Sequence, residues 1–416
     1  MTTIIRVDMR KYYIDNLRWM SLLWLIPYHT AMAWNVWGEP NYIFFEKNKL
    51  ISSIVVFLSP YFMPLLFLLA GISTKYALQK RNFKQYLAER VNKLLIPLLF
   101  GTVVLMPILC YFGDKFNCGY KGGFLSHYAV FFTKYTDLTG ADGGFSLGQF
   151  WFLLYLLIIS LAAVGILIPI PKTTVDKSNG INAACHRWTS SPYRQYAFVV
   201  RLDIQHFCSS SLSTNILGIG MKIAEKFPIK KPVSFPVVLF LGLPLPILSE
   251  ILSIGGKSLA EYLYIFLIGY FVFTDEKVTD SAQKYCPILL CAGLGASLLN
   301  VYLFIWSDEN FNTLNTIAKY ISEWFMLISL IGLAKKYFNF NGKISHYLKS
   351  RSFLFYIFHF VWVVAFQYLL HNFFGNNTAV LFIGTLFLAY PATFVCCEIS
   401  LRIPLLCFLT GMKKIS

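Results

Sequence analysis

The chain has 416 residues, of which 56% are hydrophobic and only 13% are charged, with a formal net charge of +16 at pH 7. A water-soluble globular protein carries roughly a quarter charged residues, so this composition excludes that class. Nucleic-acid binding is also disfavoured, because the basic residues are divided among several loops and form no single patch. Apolar runs of about 20 residues recur instead, each long enough to cross a hydrocarbon core of roughly 30 Å.

These runs predict an all-α, polytopic integral membrane protein with about ten transmembrane helices. The predicted spans, in chain order, are residues 17–37, 50–73, 94–112, 149–170, 235–254, 259–273, 286–306, 313–333, 353–373 and 379–407. We expect a single domain over residues 1–416, with a long external loop at 113–148 and a long cytoplasmic segment at 171–232. A loop as long as the external one is more often functional than a passive link.

Lys and Arg residues predict the orientation of the spans. Alternate loops are basic, above all the loops after the second and eighth spans, and the positive-inside tendency places these loops in the cytoplasm. Both termini then lie in the cytoplasm as well. The opposite loops are acidic or neutral, as in residues 307–310. We therefore expect a multi-pass protein of the cell (plasma) membrane, whose basic side faces anionic lipid.

Few ionisable residues lie inside the predicted spans, and such residues are expensive in a bilayer and tend to be functional. The first span contains Arg18 near its cytoplasmic end and His29 further in. In one continuous helix they would lie about three turns apart, a rise of roughly 16 Å, on nearly the same face. Glu323 lies near the middle of the eighth span and His359 about a third of the way into the ninth.

His29 has two interpretations from its chemistry alone. As a general base, a neutral imidazole would take a proton from a hydroxyl and return it. As a core residue, it would only bond a backbone carbonyl. For His359 the core interpretation is favoured. A buried Glu323 needs a partner, which is a histidine, an arginine or a bound proton.

The cytoplasmic stretch 75–93 is a basic amphipathic segment. Its cations include Lys75, Arg81, Arg90 and Lys93, which would hold phosphate groups by charge-assisted hydrogen bonds. The ordinary positive-inside bias explains most of the same charge. No metal site is predicted, because the nine cysteines form no CxxC pair and no Cys/His spacing typical of zinc.

Several motifs, in the right order along nearly the whole chain, resemble the membrane acyltransferase 3 family. That family is marked by an Arg, ten intervening residues and a His in its first span, which Arg18 and His29 match. The opening pattern Tyr-x-Asp-x-Leu-Arg, which ends at Arg18, is most similar to the branch that includes the glucan succinyltransferases. The further matching segments are residues 13–19, 63–73, 86–97, 150–153, 255–258 and 356–359.

The resemblance implies transfer of an acyl group, acetyl or succinyl, from cytoplasmic acyl-CoA to a hydroxyl of an extracytoplasmic carbohydrate or glycolipid. On the matching positions, His29 would be the catalytic base with Arg18 as its motif partner, and we add Glu323 as a third candidate catalytic residue. Acyl-CoA is expected as a co-substrate, with no permanently bound cofactor.

Arg90 would lie near the CoA phosphates, beside Lys75, Arg81 and Lys93, and we expect Asp15, Trp151 and His359 to contact substrate. One departure concerns Lys93, where the family often has a second Arg. Lys keeps the charge but loses the bidentate fork, so a different phosphate geometry follows.

The rival function is a proton-coupled transporter or flippase of a glycan-type substrate, which intramembrane Arg, His and Glu also suit. Against it, the sequence has no inverted repeat and no paired spans broken by Gly or Pro. A purely structural scaffold leaves Arg18 and His29 unexplained. The sequence leaves open the acyl group, the acceptor, and whether the chain forms a homo-oligomer.

Overall fold

The computed structural model describes residues 11–39, 41–135, 138–167, 233–309 and 312–412. The predicted cytoplasmic segment 171–232 lies outside them. The chain divides into two compact units, Met1–Ile159 with Pro232–Ser416, and Ser160–Lys231. Of the second unit the structure describes only the end of one helix, so the account below concerns the first.

The described residues are mostly helical, as the composition predicts. A single small hairpin, β1 (Ser253–Ile254) paired antiparallel with β2 (Lys257–Ser258), interrupts them within these ranges. The helices, in chain order, are α1 (Tyr12–Leu23), α2 (Leu25–Met32), α3 (Lys49–Lys80), α4 (Phe83–Asn117), α5 (Phe124–Thr133), α6 (Trp151–Leu167), α7 (Phe235–Phe240), α8 (Leu245–Leu248), α9 (Leu259–Phe271), α10 (Glu276–Trp306), α11 (Asn312–Tyr337), α12 (Lys343–Phe374), α13 (Thr378–Arg402) and α14 (Pro404–Leu409).

Six of the described helices are long and apolar enough to cross a membrane: α3, α4, α10, α11, α12 and α13. The remaining predicted spans correspond to shorter or interrupted helices. Residues 17–37 do not form one helix, because α1 and α2 are separated at Trp24 and α2 ends at Met32. Residues 235–254 do not form one helix either, because α7 and α8 are separated by a turn and Ser253–Ile254 is a strand.

Pro27 explains the break between α1 and α2. A proline has no N–H to offer the carbonyl four residues earlier, and its ring pushes that carbonyl away. The freed carbonyl is that of Leu23, and it accepts a hydrogen bond from the Tyr390 hydroxyl of α13 at 2.8 Å. An unpaired carbonyl would be costly in an apolar surrounding, so this bond both permits the break and fixes α2 against α13.

Pro60 in α3 is accommodated in the same way. Its ring frees the carbonyl of Val56, which accepts from the Asn300 side-chain amide of α10 at 3.3 Å. Asn315 of α11 in turn donates to the Asn300 side-chain oxygen at 3.0 Å. The carbonyl that Pro60 frees is thereby linked to two other helices, α10 directly and α11 through Asn300.

Pro107 in α4 frees the carbonyl of Val103, which accepts from the Tyr128 hydroxyl of α5 at 2.8 Å. The preceding residue of α5, His127, is buried and bonded through Nε2 to Oδ2 of Asp114 at 3.0 Å. Burial lowers the pKa of His127, and the Asp114 carboxylate opposes that shift. These two bonds hold α5, in the predicted external loop, against α4.

Two glycines let α3 and α9 approach closely. A Cβ added to Gly71 would collide with the backbone carbonyl of Phe266, and one added to Gly269 would collide with that of Leu68. Close backbone approach through small residues is a common means of helix association in membranes. The contact positions the first half of α9, which carries residues of the candidate site.

The bond between Tyr390 and Leu23 gives a test of this account. We expect Tyr390→Phe to lower the free energy of unfolding by about 1 kcal/mol, because it leaves the Leu23 carbonyl without a donor. Pro27→Ala, made in the Tyr390→Phe background, restores an N–H for that carbonyl and should recover most of the loss. Thermal unfolding of the purified protein in detergent measures both effects, and a purely additive double variant would contradict the explanation.

Candidate active site

His29 lies on α2 with its half-buried ring against α12. The ring stacks on Phe360 with the centroids 4.0 Å apart, and it faces His359 at 5.3 Å. The neighbouring Tyr28 points to α3, where its hydroxyl bonds the hydroxyl of Ser59 at 3.2 Å. The structure therefore brings together two histidines that the sequence places on different spans.

His359 is fixed by its own helix. Its Nδ1 lies 2.8 Å from the carbonyl of Tyr356 and 3.2 Å from that of Phe355. Carbonyl oxygens only accept, so Nδ1 carries the proton and Nε2 has a free lone pair. This backbone bond is the one expected of a core histidine. However, Nε2 of His359 and Nδ1 of His29 are both buried without a hydrogen-bond partner among the described residues.

Arg18 does not share a neighbour with His29, although the spacing predicts nearly one face. Because the helix is interrupted at Trp24, Arg18 points to α3, where it donates to the Ser73 hydroxyl at 2.5 Å and to the Leu69 carbonyl at 3.2 Å. Asp15 lies between two cations, 3.5 Å from Arg18 and 3.7 Å from Lys349. Asp15 thus forms ion pairs with a basic residue of α1 and one of α12.

Arg90 reaches the same end of α3. Its guanidinium donates to the Thr74 hydroxyl at 3.4 Å and covers the ring of Tyr86 at 4.8 Å. Ser73 and Thr74 are adjacent, so two arginines from different helices flank this one polar dipeptide. We call Arg18, Ser73, Thr74 and Arg90 the cationic cluster.

The other predicted phosphate-binding residues are placed differently. Arg81 forms an ion pair with Glu89 at 2.9 Å, which offsets its charge. Lys75 covers the ring of Tyr270 at 5.1 Å. Lys93 is exposed, in a π-helical turn of α4. Of the four, Arg90 is the one whose hydrogen bond to Thr74 places it in the cationic cluster.

Glu323 lies apart from the two histidines, in contact with a second acid. It is 1% exposed, and neither of its carboxyl oxygens has a donor among the described residues. Its carboxyl interacts with that of Glu261 on α9 and with the Lys319 ammonium, one turn away on α11. The neighbours of Glu323 are therefore another carboxyl and a lysine, rather than the histidine or arginine considered from the sequence.

Trp151 lies in an aromatic group that adjoins these acids. Its indole packs on Tyr155 and Tyr262 with centroids at 5.3 and 5.7 Å, and Lys257 covers it at 5.3 Å. Tyr262 is next to Glu261 in sequence and lies within the electrostatic influence of both acids and of Tyr28. We call Trp151, Tyr262, Glu261 and Glu323 the aromatic–acid cluster.

The start of α6 is anchored to α12 next to His359. The Gln149 side chain donates to the carbonyl of Ile357 at 2.7 Å, and the Tyr356 hydroxyl donates to the Gln149 carbonyl at 2.6 Å. Both bonds are buried. Trp151 is consequently held at the level of α12 that carries His359.

Tyr42, before α3, closes the other side of the histidine pair. It has a φ of +65°, a strained conformation for a residue with a side chain, and it is 2% exposed. Its ring packs edge-on against Phe360 at 5.2 Å, and its hydroxyl bonds that of Ser146 at 3.0 Å. Ser146 of the predicted external loop thus contacts Tyr42, which packs on the ring on which His29 stacks.

A comparison with known families identifies the chain. A profile of the acyltransferase 3 family, described as an acyltransferase domain, matches residues 11–399. The chain belongs to this family. It is a membrane acyltransferase, and the resemblance seen in its motifs is confirmed.

A curated relative, glucans biosynthesis protein C of Salmonella gallinarum, is 23% identical over 418 residues, which cover 97% of this chain and 95% of the relative. No solved structure gives a significant match.

Sequence reasoning missed several residues of the site in this acyltransferase. Glu261 is an acid three residues into a predicted span, so its position was itself a signal. Ser73, Thr74 and Gln149 carry no such signal, because hydroxyl and amide side chains are common at helix ends.

Proposed function

We propose that the chain transfers an acyl group, acetyl or succinyl, from cytoplasmic acyl-CoA to a hydroxyl of an extracytoplasmic carbohydrate or glycolipid. One observation carries the proposal. His29, the histidine of the family motif, has a buried nitrogen without a partner among the described residues. It shares the ring of Phe360 with Tyr42, which is bonded to Ser146 of the predicted external loop. Glucan is the acceptor class suggested by the name of the relative.

We propose about ten membrane crossings with both termini in the cytoplasm of a plasma-membrane protein. In support, the six long helices are joined by the α1–α2 pair and by the apolar stretches Gly148–Ala163, Phe235–Leu248 and Leu259–Phe271. The positive-inside tendency then places the cationic cluster on the cytoplasmic side.

The depth of the candidate residues supports a meeting of donor and acceptor within the membrane. His29 lies roughly 16 Å along α1 and α2 from Arg18, and Glu323 lies roughly 18 Å along α11 from Lys335, at 1.5 Å per residue. Lys335 is tied to Glu276 at 2.9 Å, which also pairs with Lys11 just before α1. Counted from this shared level, Arg18 is roughly 10 Å along α1, Glu323 roughly 18 Å along α11 and His29 roughly 27 Å along α1 and α2. The cationic cluster therefore lies nearest the cytoplasm.

The hairpin β1–β2 supports an entry path for the acceptor. Helix α9 has 13 residues and spans roughly 20 Å, less than the hydrocarbon core. In the ten-crossing arrangement we place the exposed hairpin, which precedes α9, within that depth. Irregular backbone at such depth is tolerated only where it is covered by protein or lines a wet cavity. An aqueous path from outside to the aromatic–acid cluster follows from this geometry.

The chemistry needs one base. His29 removes the proton of the acceptor hydroxyl as its oxygen bonds the thioester carbonyl carbon. The carbon–sulfur bond then breaks, and the imidazolium returns the proton to the leaving thiolate. The products are the carbohydrate ester and free CoA. Arg18 and Arg90 hold the CoA phosphates, and Ser73 and Thr74 orient the two guanidiniums.

His29→Gln tests the base. We expect transfer to fall by about 10³-fold or more, since Gln fills a similar space but does not take up a proton at this pH. Release of free CoA from acyl-CoA with a glucan oligosaccharide measures the rate. His346→Ala, which removes an exposed histidine, is the matched control and should behave as wild type. Full activity of His29→Gln would contradict the assignment, and a wild-type protein that releases no CoA would favour the transporter.

Arg90→Ala and Arg81→Ala separate the two arginines. Loss of a charge-assisted bond to phosphate costs about 1.5 kcal/mol or more, so Arg90→Ala should raise the KM for acyl-CoA about tenfold. Arg81→Ala should change it less, because Glu89 already pairs with that guanidinium. Steady-state kinetics at varied acyl-CoA make the comparison. An equal or larger effect at Arg81 would overturn the placement of the phosphates.

Glu261→Gln and Glu323→Gln test a role of the acids in binding the acceptor. Carboxylates accept strong hydrogen bonds from sugar hydroxyls, and aromatic rings beside them pack on sugar faces. Each variant should raise the KM for the glucan oligosaccharide about tenfold and leave the KM for acyl-CoA unchanged. Glu250→Gln, an exposed acid between α8 and the hairpin, is the control. Unchanged acceptor KM in both variants would remove the acids from the acceptor site.

A further inference from the structure

The two histidines stand at the separation of a hydrogen-bonded pair. Two imidazoles joined by one N–H···N bond have ring centroids about 5 Å apart, given the usual donor–acceptor distance. The centroids of His29 and His359 are 5.3 Å apart, with the ring planes inclined by 40°. Both rings have a buried nitrogen without a partner among the described residues. The bond requires a rotation of the His29 ring alone, because the His359 ring is held by the carbonyls of its own helix.

The proton positions allow only one direction for this bond. Nδ1 of His359 donates to the carbonyls of Phe355 and Tyr356, so its Nε2 is an acceptor only. The unpartnered Nδ1 of His29 must then be the donor. A neutral imidazole has one N–H, so Nε2 of His29 is left with the lone pair.

Two of the other polar side chains nearby are already engaged. The Tyr28 hydroxyl is bonded to Ser59 at 3.2 Å, and Gln367 of α12 donates to the carbonyl of Thr30 at 3.1 Å. Phe360 contributes only its ring face to His29. Among the residues that the structure describes around His29, His359 is therefore the acceptor best placed for Nδ1–H.

We propose that His359 is a positioning residue that keeps the proton of His29 on Nδ1 and so makes Nε2 the catalytic base. The inference rests on the proposed function of His29. It replaces the expectation that His359 contacts substrate. The hydrogen bonds then run in a chain from the backbone carbonyl to His359, from His359 to His29, and from His29 to the acceptor hydroxyl. When Nε2 takes the hydroxyl proton, the Nδ1–H bond to His359 orients the imidazolium and strengthens, and no second proton moves. An orienting group on the far nitrogen of a catalytic histidine serves the same purpose in hydrolytic triads.

Two substitutions distinguish positioning from packing. His359→Phe keeps an aromatic ring but removes the acceptor, and we expect kcat to fall about a hundredfold with the KM for acyl-CoA unchanged. His359→Gln supplies a side-chain oxygen in place of Nε2, and its kcat should stay within about tenfold of wild type. Equal kcat values for His359→Phe and wild type would overturn the proposal, as would a His359→Gln protein that is folded yet no better than His359→Phe.

The tautomer itself can be observed without turnover. In protein labelled with ¹⁵N-histidine, the His29 signals are those absent from His29→Gln, and wild type should show a protonated Nδ1 and a bare Nε2. His359→Phe should shift His29 toward the other tautomer. A protonated Nε2 in wild type, or no change in His359→Phe, would refute the inference. If wild type transfers no acyl group, the proposed function fails while this spectrum still decides the role of His359.

Discussion

The constraint on which this structure depends is the need to pair backbone carbonyls that prolines free inside an apolar region. The carbonyls of Leu23, Val56 and Val103 each receive a side-chain donor from another helix. These bonds are more than repairs, because each one fixes the position of a helix relative to its neighbour. The bond to Leu23 has the largest consequence. It accompanies the break between α1 and α2, and α2 beyond the break holds His29 against α12.

The same break separates Arg18 from His29, the two residues of the family motif, so that they contact different helices. Had α1 and α2 been one straight helix, Arg18 and His29 would face the same neighbour. Instead Arg18 is bound to α3 beside Ser73, and His29 stacks on Phe360 of α12. In the proposed reaction this division is useful, since the phosphates of the donor and its thioester lie at opposite ends of a long molecule. One residue holds the charged end, and the other acts where the acyl group is released.

Membrane insertion and the helical class could be predicted from composition and from runs of apolar residues, because both depend on the chain's own residues. The motif histidine could be predicted for the same reason. The break at Trp24 was predictable in principle from Pro27, but its direction was not, since that depends on Tyr390 far along the chain. The pairings of His29 with His359 and of Glu323 with Glu261 join distant helices, and a single sequence contains no record of which helices meet. The number of spans is a proposal, because the length of a short helix does not by itself determine its depth in the membrane.

Glu261 and Glu323 present an energetic problem that bears on function. Two carboxyls in one buried place repel when both are ionised, and a single lysine compensates only one of them. Replacing such a group by apolar residues is often neutral or stabilising, so structure alone gives little reason to have it. The carboxyl oxygens of Glu323 accept no hydrogen bond from the described residues. They are therefore available to accept hydrogen bonds from a ligand beside Tyr262 and Trp151. A ligand rich in hydroxyl groups would use that capacity, and its binding would offset the cost of burying the acids.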